Sequence, residues 1–157
     1  MTEDTETLAA LQRSITMLVR RTAIPRVHER IISRAGVTID RVEAVALSRI
    51  NDAGSMRVTE LADQLGVACS TAGRHAANLE EGGLVRRSPD ADDGRVTVVT
   101  ATDEGAELIE RLRTAQRGML AEALSEWASD DLSTLANLLE RLGEDVLVLS
   151  QPVEVRS

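Results

Sequence analysis

Ser70, Arg74 and Asn78 stand four positions apart, with Thr71 three before Arg74, the spacing that gathers side chains on one face of a helix. Hydroxyls beside the free amides of a helix start suit phosphate oxygens. An arginine one turn on can grip guanine with two hydrogen bonds, and an asparagine can pair with adenine or a phosphate. A second cluster sets Arg86, Arg87 and Arg95 around Asp90, Asp92 and Asp93. Carboxylates near phosphate are costly unless paired. The expectation is therefore that Asp90 or Asp93 holds Arg95 in one rotamer, with its guanidinium oriented for a minor groove. The plainer alternatives are solvated polar residues and an incidental ion pair worth under ~1 kcal/mol.

Other chemistries find little support. The acidic turn lacks the twelve-residue spacing and closing glutamate of a calcium loop. Two histidines, one cysteine and no tyrosine leave few catalytic candidates, and there is no glycine-rich phosphate loop. His28, Cys69 and His75 have no metal-ligand spacing. No catalytic residue, metal or cofactor is expected. Cys69 falls at a helix start, where the dipole favours a thiolate. A redox-responsive site is thus an alternative, although no second cysteine is present to resolve a sulfenic acid.

The elements that must position these residues can be read from hydrophobic spacing. Leu8, Leu11, Ile15 and Leu18 form one stripe on a first helix, which Pro25 should break. Val27, Ile31 and Ile32 continue to a stop at Gly36. Asp40 is placed to cap a helix bearing Val42, Val45, Ala46, Leu47 and Ile50, ending near Gly54. A short helix with Val58, Leu61, Ala62 and Leu65 closes at Gly66. Another runs from about Ser70 to Glu81, with Ala72, His75, Ala76 and Leu79 inward, and stops at Gly82 and Gly83. Two β-prone runs, 84–88 and 95–100, flank a six-residue turn and predict a hairpin. Thr102 should cap a helix whose stripe runs from Leu108 to Trp127. A final helix from Ser129 carries Leu132, Leu135, Leu139, Leu142, Val146 and Leu149 in a heptad-like seam.

Two short helices and a hairpin describe a winged helix-turn-helix. The fold expected is mainly α with a small β-hairpin wing. Residues 38–101 would form the winged helix-turn-helix DNA-binding domain, 1–36 with 103–150 a helical dimerisation region formed by both termini, and 151–157 a tail. The long stripes at both ends suit packing against a second copy better than packing within one chain.

Composition fits a binder with a local contact surface. All 18 cations are arginine and stand against 26 carboxylates, a net charge of −8, which argues against a general polyanion binder. Aromatic residues make up 1%, so single strands have nothing to stack on. No apolar run approaches the length of a membrane span, the first residues are wrong for a secretory signal, and one cysteine suits a reducing compartment. A cytoplasmic protein is expected.

Taken in order, Val58-Thr59-Glu60-Leu61-Ala62, Leu65-Gly66-Val67, Ser70-Thr71, Arg74 and Leu79 to Arg87 resemble the MarR family of bacterial transcriptional regulators. Asp90-Ala91-Asp92-Asp93-Gly94-Arg95 is similar to that family's Asp-x-x-Asp-x-Arg wing, and Thr102-Asp103-Glu104-Gly105 to its Thr-x-x-Gly helix entry. The resemblance covers nearly the whole chain. It implies a homodimer that binds a palindromic double-stranded DNA operator, usually as a repressor, and is released by a small anionic or aromatic effector. It also implies DNA contacts from Ser70, Thr71, Arg74, Asn78, Arg86, Asp93 and Arg95. No effector-binding residues are marked; His28 and Arg49 are polar groups that either contact an effector or make surface ion pairs. Gly73, His75, Ala77 and Asn78 depart from the family's pattern and leave a smaller recognition surface. The acidic balance and Gly73 keep a further alternative open, a winged helix that binds protein and not DNA.

Overall fold

The computed structural model describes residues 2–22 and 25–149. The expected tail, 151–157, lies outside them. Helix α1 spans Thr2–Thr22 and α2 Pro25–Ala35, so proline takes the first helical position, where its missing amide hydrogen costs nothing. Helices α3 (Arg41–Ala53), α4 (Val58–Leu65) and α5 (Cys69–Glu81) follow, with strand β1 (Ser55–Arg57) ahead of α4. Strands β2 (Val85–Pro89) and β3 (Thr97–Ala101) form the hairpin, and α6 (Asp103–Ala123) and α7 (Ser129–Leu149) complete the order. In a single copy the chain divides into two compact units, one ending at Met119 and the other beginning at Leu120.

The sheet has three antiparallel strands in the order β1-β3-β2. Met56 pairs with Val99 and Val85 with Ala101, so the inward positions of all three strands meet on one face. The hairpin was expected and β1 was not. Three residues, Ser-Met-Arg, carry too little alternation to mark a strand, and β1 exists because β3 offers it an edge. Arg95 lies in the turn and not on a strand, because Asp90 donates its amide to Val96 and Val96 donates to Asp93.

The core lies under this sheet. Leu47 and Ile50 of α3, Leu61 of α4, Leu79 of α5 and Val99 of β3 are fully buried, joined by Leu108, Ile109 and Leu112 of α6. Asp40 caps α3, accepting the Val42 amide at 2.8 Å, and Gly54 ends it with φ of 74°. Val42 and Val45 are about two-fifths exposed, because Ala46, Leu47 and Ile50 already fill the inward arc of α3. The stripes on α1 and α7 stay open in a single copy: Leu8 is 64% exposed and Leu139 48%. Helix α6 ends before Trp127, which lies half-exposed in the turn leading to α7 and does not extend the α6 stripe.

One junction fixes how the wing meets the helices. The Thr102 hydroxyl donates to the Gly83 carbonyl at 2.7 Å and accepts the Gly105 amide at 3.1 Å, while the Thr102 amide donates to Leu84. This packs the first turn of α6 so tightly that a Cβ at Gly105 would overlap the Leu84 carbonyl. Gly73 differs: a Cβ there would sit 3.9 Å from a Val58 methyl, an ordinary contact. Gly105→Ala is therefore expected to destabilise the protein by about 2–4 kcal/mol, because backbone and not a flexible side chain must move. Gly73→Ala should stabilise it by about 0.5–1 kcal/mol through helix propensity. Urea unfolding of both variants checks the opposite signs; a loss of stability in Gly73→Ala would refute the second.

Candidate nucleic-acid interface

Helix α5 is set by small residues. Ala72, Ala76 and Leu79 are buried, and α5 packs on α3, α4 and β2 through them. Ala68 precedes the helix in extended conformation and offers no side-chain cap. The amides of Cys69 and Ser70 thus have no side-chain cap and suit an approaching anion, whereas Thr71 donates to the Ala68 carbonyl at 2.9 Å. Cys69, Ser70, Arg74 and Asn78 are exposed, while Thr71, Gly73 and Ala77 are half-buried. Gly73 turns toward Val58 of α4, so it is not a point of unusually close backbone approach to a ligand.

The exposed polar groups divide by whether the protein already uses them. The Arg74 guanidinium has no hydrogen bond or ion pair among the described residues. Asn78 donates from Nδ2 to the Glu43 carboxylate of α3 at 2.8 Å, a bond that spacing along α5 alone could not reveal. In the wing, period-two alternation separates Arg86 from Arg87. Arg86 pairs in register with Thr100 and points outward. Arg87 turns back onto α5, where Glu80 accepts its backbone amide at 3.1 Å and its Nε at 2.8 Å. These two bonds, the backbone amide first, hold the Glu80 carboxyl below the usual carboxylate range.

The acidic turn works differently from the expectation. The Asp93 carboxylate accepts the backbone amide of Arg95 at 3.0 Å, and no ion pair to the Arg95 guanidinium forms among the described residues. Asp90 accepts the amides of Asp92 and Asp93 at 2.9 and 3.3 Å, and its other oxygen takes Nε of Arg57 at 2.8 Å. The reason is proximity. An aspartate reaches the amide two residues on with no strain, whereas a guanidinium must be brought round a turn that already points it outward. Hence Asp90 and Asp93 shape the wing backbone, and Arg95 is left free at its tip.

Arg57 is the residue that sequence reading missed. It sits at the start of α4, its own amide bound by Glu60 at 2.8 Å, and it ties the wing to that helix. Nothing in the sequence pairs position 57 with position 90. Glu43 and Glu80 were missed for the same reason. His28 rests a ring nitrogen 3.5 Å from the Ile39 carbonyl, and Arg49 is exposed with no ion pair among the described residues. Cys69 is exposed and free at the first position of α5. Among the described residues no His, Cys, Asp and Glu gather to hold a metal, and no helix is long and apolar enough to cross a membrane.

The amides of Asp92 and Asp93 and the Arg57 guanidinium hold the Asp90 carboxyl below its ordinary range. A depressed folded value means its contribution is present above the unfolded value, about pH 4, and is lost as pH falls through the folded one. The wing should therefore keep its shape from pH 5 to 8 and loosen only in stronger acid. At neutral pH, Asp90→Ala should raise hydrogen exchange at Asp92 and Asp93 by about tenfold or more. Asp90→Asn, which keeps an acceptor oxygen, should raise it less. Equal exchange in both variants and the parent would remove Asp90 from the wing's support.

Known proteins share this fold. Residues 39–97 match the model of the MarR family. The chain is 28% identical over 134 residues to the HTH-type transcriptional regulator YxaD of Bacillus subtilis, across 85% of this chain and 91% of that protein. An HTH-type transcriptional regulator of Mycobacterium leprae is 32% identical over 99 residues, 63% of this chain and 69% of the relative. A MarR family protein from Bacillus stearothermophilus shares the fold with a TM-score of 0.78 at 22% identity, over 91% and 97% of the two chains. Wild-type MarR of Escherichia coli in its apo form gives 0.69 at 25% identity, over 84% and 96%. The chain belongs to the MarR family and is a DNA-binding transcriptional regulator.

Proposed function

We propose that this regulator is a homodimeric repressor that binds a palindromic operator and leaves it when a small effector binds. The observation that carries the reading is the division of arginines around α5 and the wing. Arg57 and Arg87 are occupied by carboxylates, while Arg74, Arg86 and Arg95 are exposed and have no partner among the described residues. In this reading Arg74, with Ser70 and Thr71 at the helix start, enters the major groove. Arg86 meets the backbone, and Arg95, presented by the turn that Asp93 closes, reaches the minor groove.

Two recognition helices must stand about one DNA turn, ~34 Å, apart to read successive major grooves, which requires a second copy. The open apolar stripes of α1 and α7 support that copy, since contiguous exposed leucines mark an interface. The pooling of 1–36 with 103–150 belongs to the dimer. For the effector, a groove of about 620 Å³ between α2 and α6 sets Arg111 among Glu107 and Glu110, beside Ala115 and Gly118. Neither His28 nor Arg49 lines it.

Binding to the gene's own upstream region, measured by fluorescence anisotropy against scrambled duplex, tests the reading. Arg74→Ala should cost about 1–3 kcal/mol on the operator and little on scrambled DNA, which relaxes discrimination. Arg95→Ala should weaken both evenly and lower the salt slope by about one. Sedimentation should show a dimer that Leu139→Glu splits. Equal small effects of the two arginine variants, or a parent that sediments as a single copy and ignores duplex at low salt, would sink the proposal.

A further inference from the structure

Asn78 stands on the DNA-facing side of α5, yet its amide is bound within the protein. Its partner, Glu43 of α3, uses one oxygen for two neighbours: Oε1 accepts Asn78 Nδ2 at 2.8 Å and lies 4.0 Å from Nδ1 of His75. The His75 side chain is 16% exposed, and its Nδ1 is buried with no hydrogen-bond partner. An orphaned buried nitrogen in a native fold calls for a reason. A neutral ring can leave Nδ1 as an unused acceptor, whereas an imidazolium must donate from it.

We propose that Glu43 and His75 form a proton-operated latch on Asn78. With His75 neutral, Glu43 holds the Asn78 amide away from DNA. With His75 protonated, the Glu43 oxygen moves by about 1 Å to accept from Nδ1. A bond between two ionised groups is stronger than the carboxylate's bond to a neutral amide, so the exchange favours the imidazolium. Asn78 is then released to pair with a base or a phosphate, and operator binding tightens. The proposal rests on the DNA-binding reading and adds a control to it.

The surroundings allow the exchange. From α3, Glu43 is the acid paired with the ring. From α4, Glu60 is engaged by the Arg57 amide, and Asp63 makes no ion pair with His75. From β2, Arg87 is held by Glu80, which takes that acid out of play as well, and Arg86 points outward. On α5 itself, Arg74 is exposed to solvent. A free histidine changes charge between about pH 5 and 8, which sets the range over which the exchange is tested.

The chain has two histidines, which makes the test direct. In the free protein, the Asn78 side-chain amide signals should follow the same NMR titration curve as the His75 imidazole, and Glu43→Ala should abolish that coupling. On DNA, the affinity of the parent for its upstream region should rise by about 5- to 10-fold from pH 8 to pH 6, with His28→Gln behaving alike. His75→Gln and Asn78→Ala should each change by less than about 2-fold over that range, and Glu43→Ala should bind at pH 8 as the parent does at pH 6. If Asn78 stays silent while His75 titrates, or if Asn78→Ala keeps the full pH dependence, the latch is wrong. A protein that ignores DNA at every pH defeats the functional reading instead, and the NMR titration of the free parent still decides the latch.

Discussion

The arrangement depends on the close approach between the start of α6 and the chain entering the wing. Thr102 binds Gly83 and Gly105 together, and the missing side chain of Gly105 lets the Leu84 carbonyl lie against the helix. Gly83 ends the turn that follows α5, with φ of 72°, and Val85 opens β2. One threonine thereby fixes three directions: how α5 ends, where the wing begins and how α6 leaves. A loose junction would let α5 and the wing move separately, and two contacts to one duplex would no longer add.

Upon that frame, carboxylates decide which cations are available. A net charge of −8 gives the chain no general attraction for DNA, so contacts must come from placement. The ion pairs that do the sorting are exposed, and each contributes little to stability. Their effect is geometric. Glu80 turns Arg87 onto α5, Asp90 turns Arg57 toward the wing, and Arg74, Arg86 and Arg95 face outward. Asp93 serves the same end through the backbone, by shaping the turn that presents Arg95.

What could be read from the sequence follows from the range of each interaction. Helices were legible because their signals are local: the Asp40 cap, the glycine stops at 36, 54 and 66, and the Ala72, Ala76 and Leu79 face. The hairpin was legible from its turn residues. Strand β1 was not, since three residues become a strand only beside β3. Nor were the partners of the polar side chains. Asn78 and Glu43 stand 35 positions apart, and Arg57 and Asp90 stand 33 apart, so only the packed fold brings them together. The face of α5 was predictable from its period; whether each residue on that face is free was not.

An effector in the groove between α2 and α6 would act on the same frame. Ile31, Ile32 and Ala35 of α2 pack on the core to which Leu108, Ile109 and Leu112 of α6 belong, so neither wall can shift without disturbing the packing under α5. A ligand moves such an equilibrium only by its differential affinity for two arrangements. Shifting a bound population from nearly all to nearly none takes about 5.5 kcal/mol of difference. Apolar contact in an open groove walled by Arg34, Arg111, Glu107 and Glu110 is too small a source for that. A charged effector would add to that source only by meeting Arg111 differently in the two arrangements, against the Glu107 and Glu110 carboxylates that share the groove.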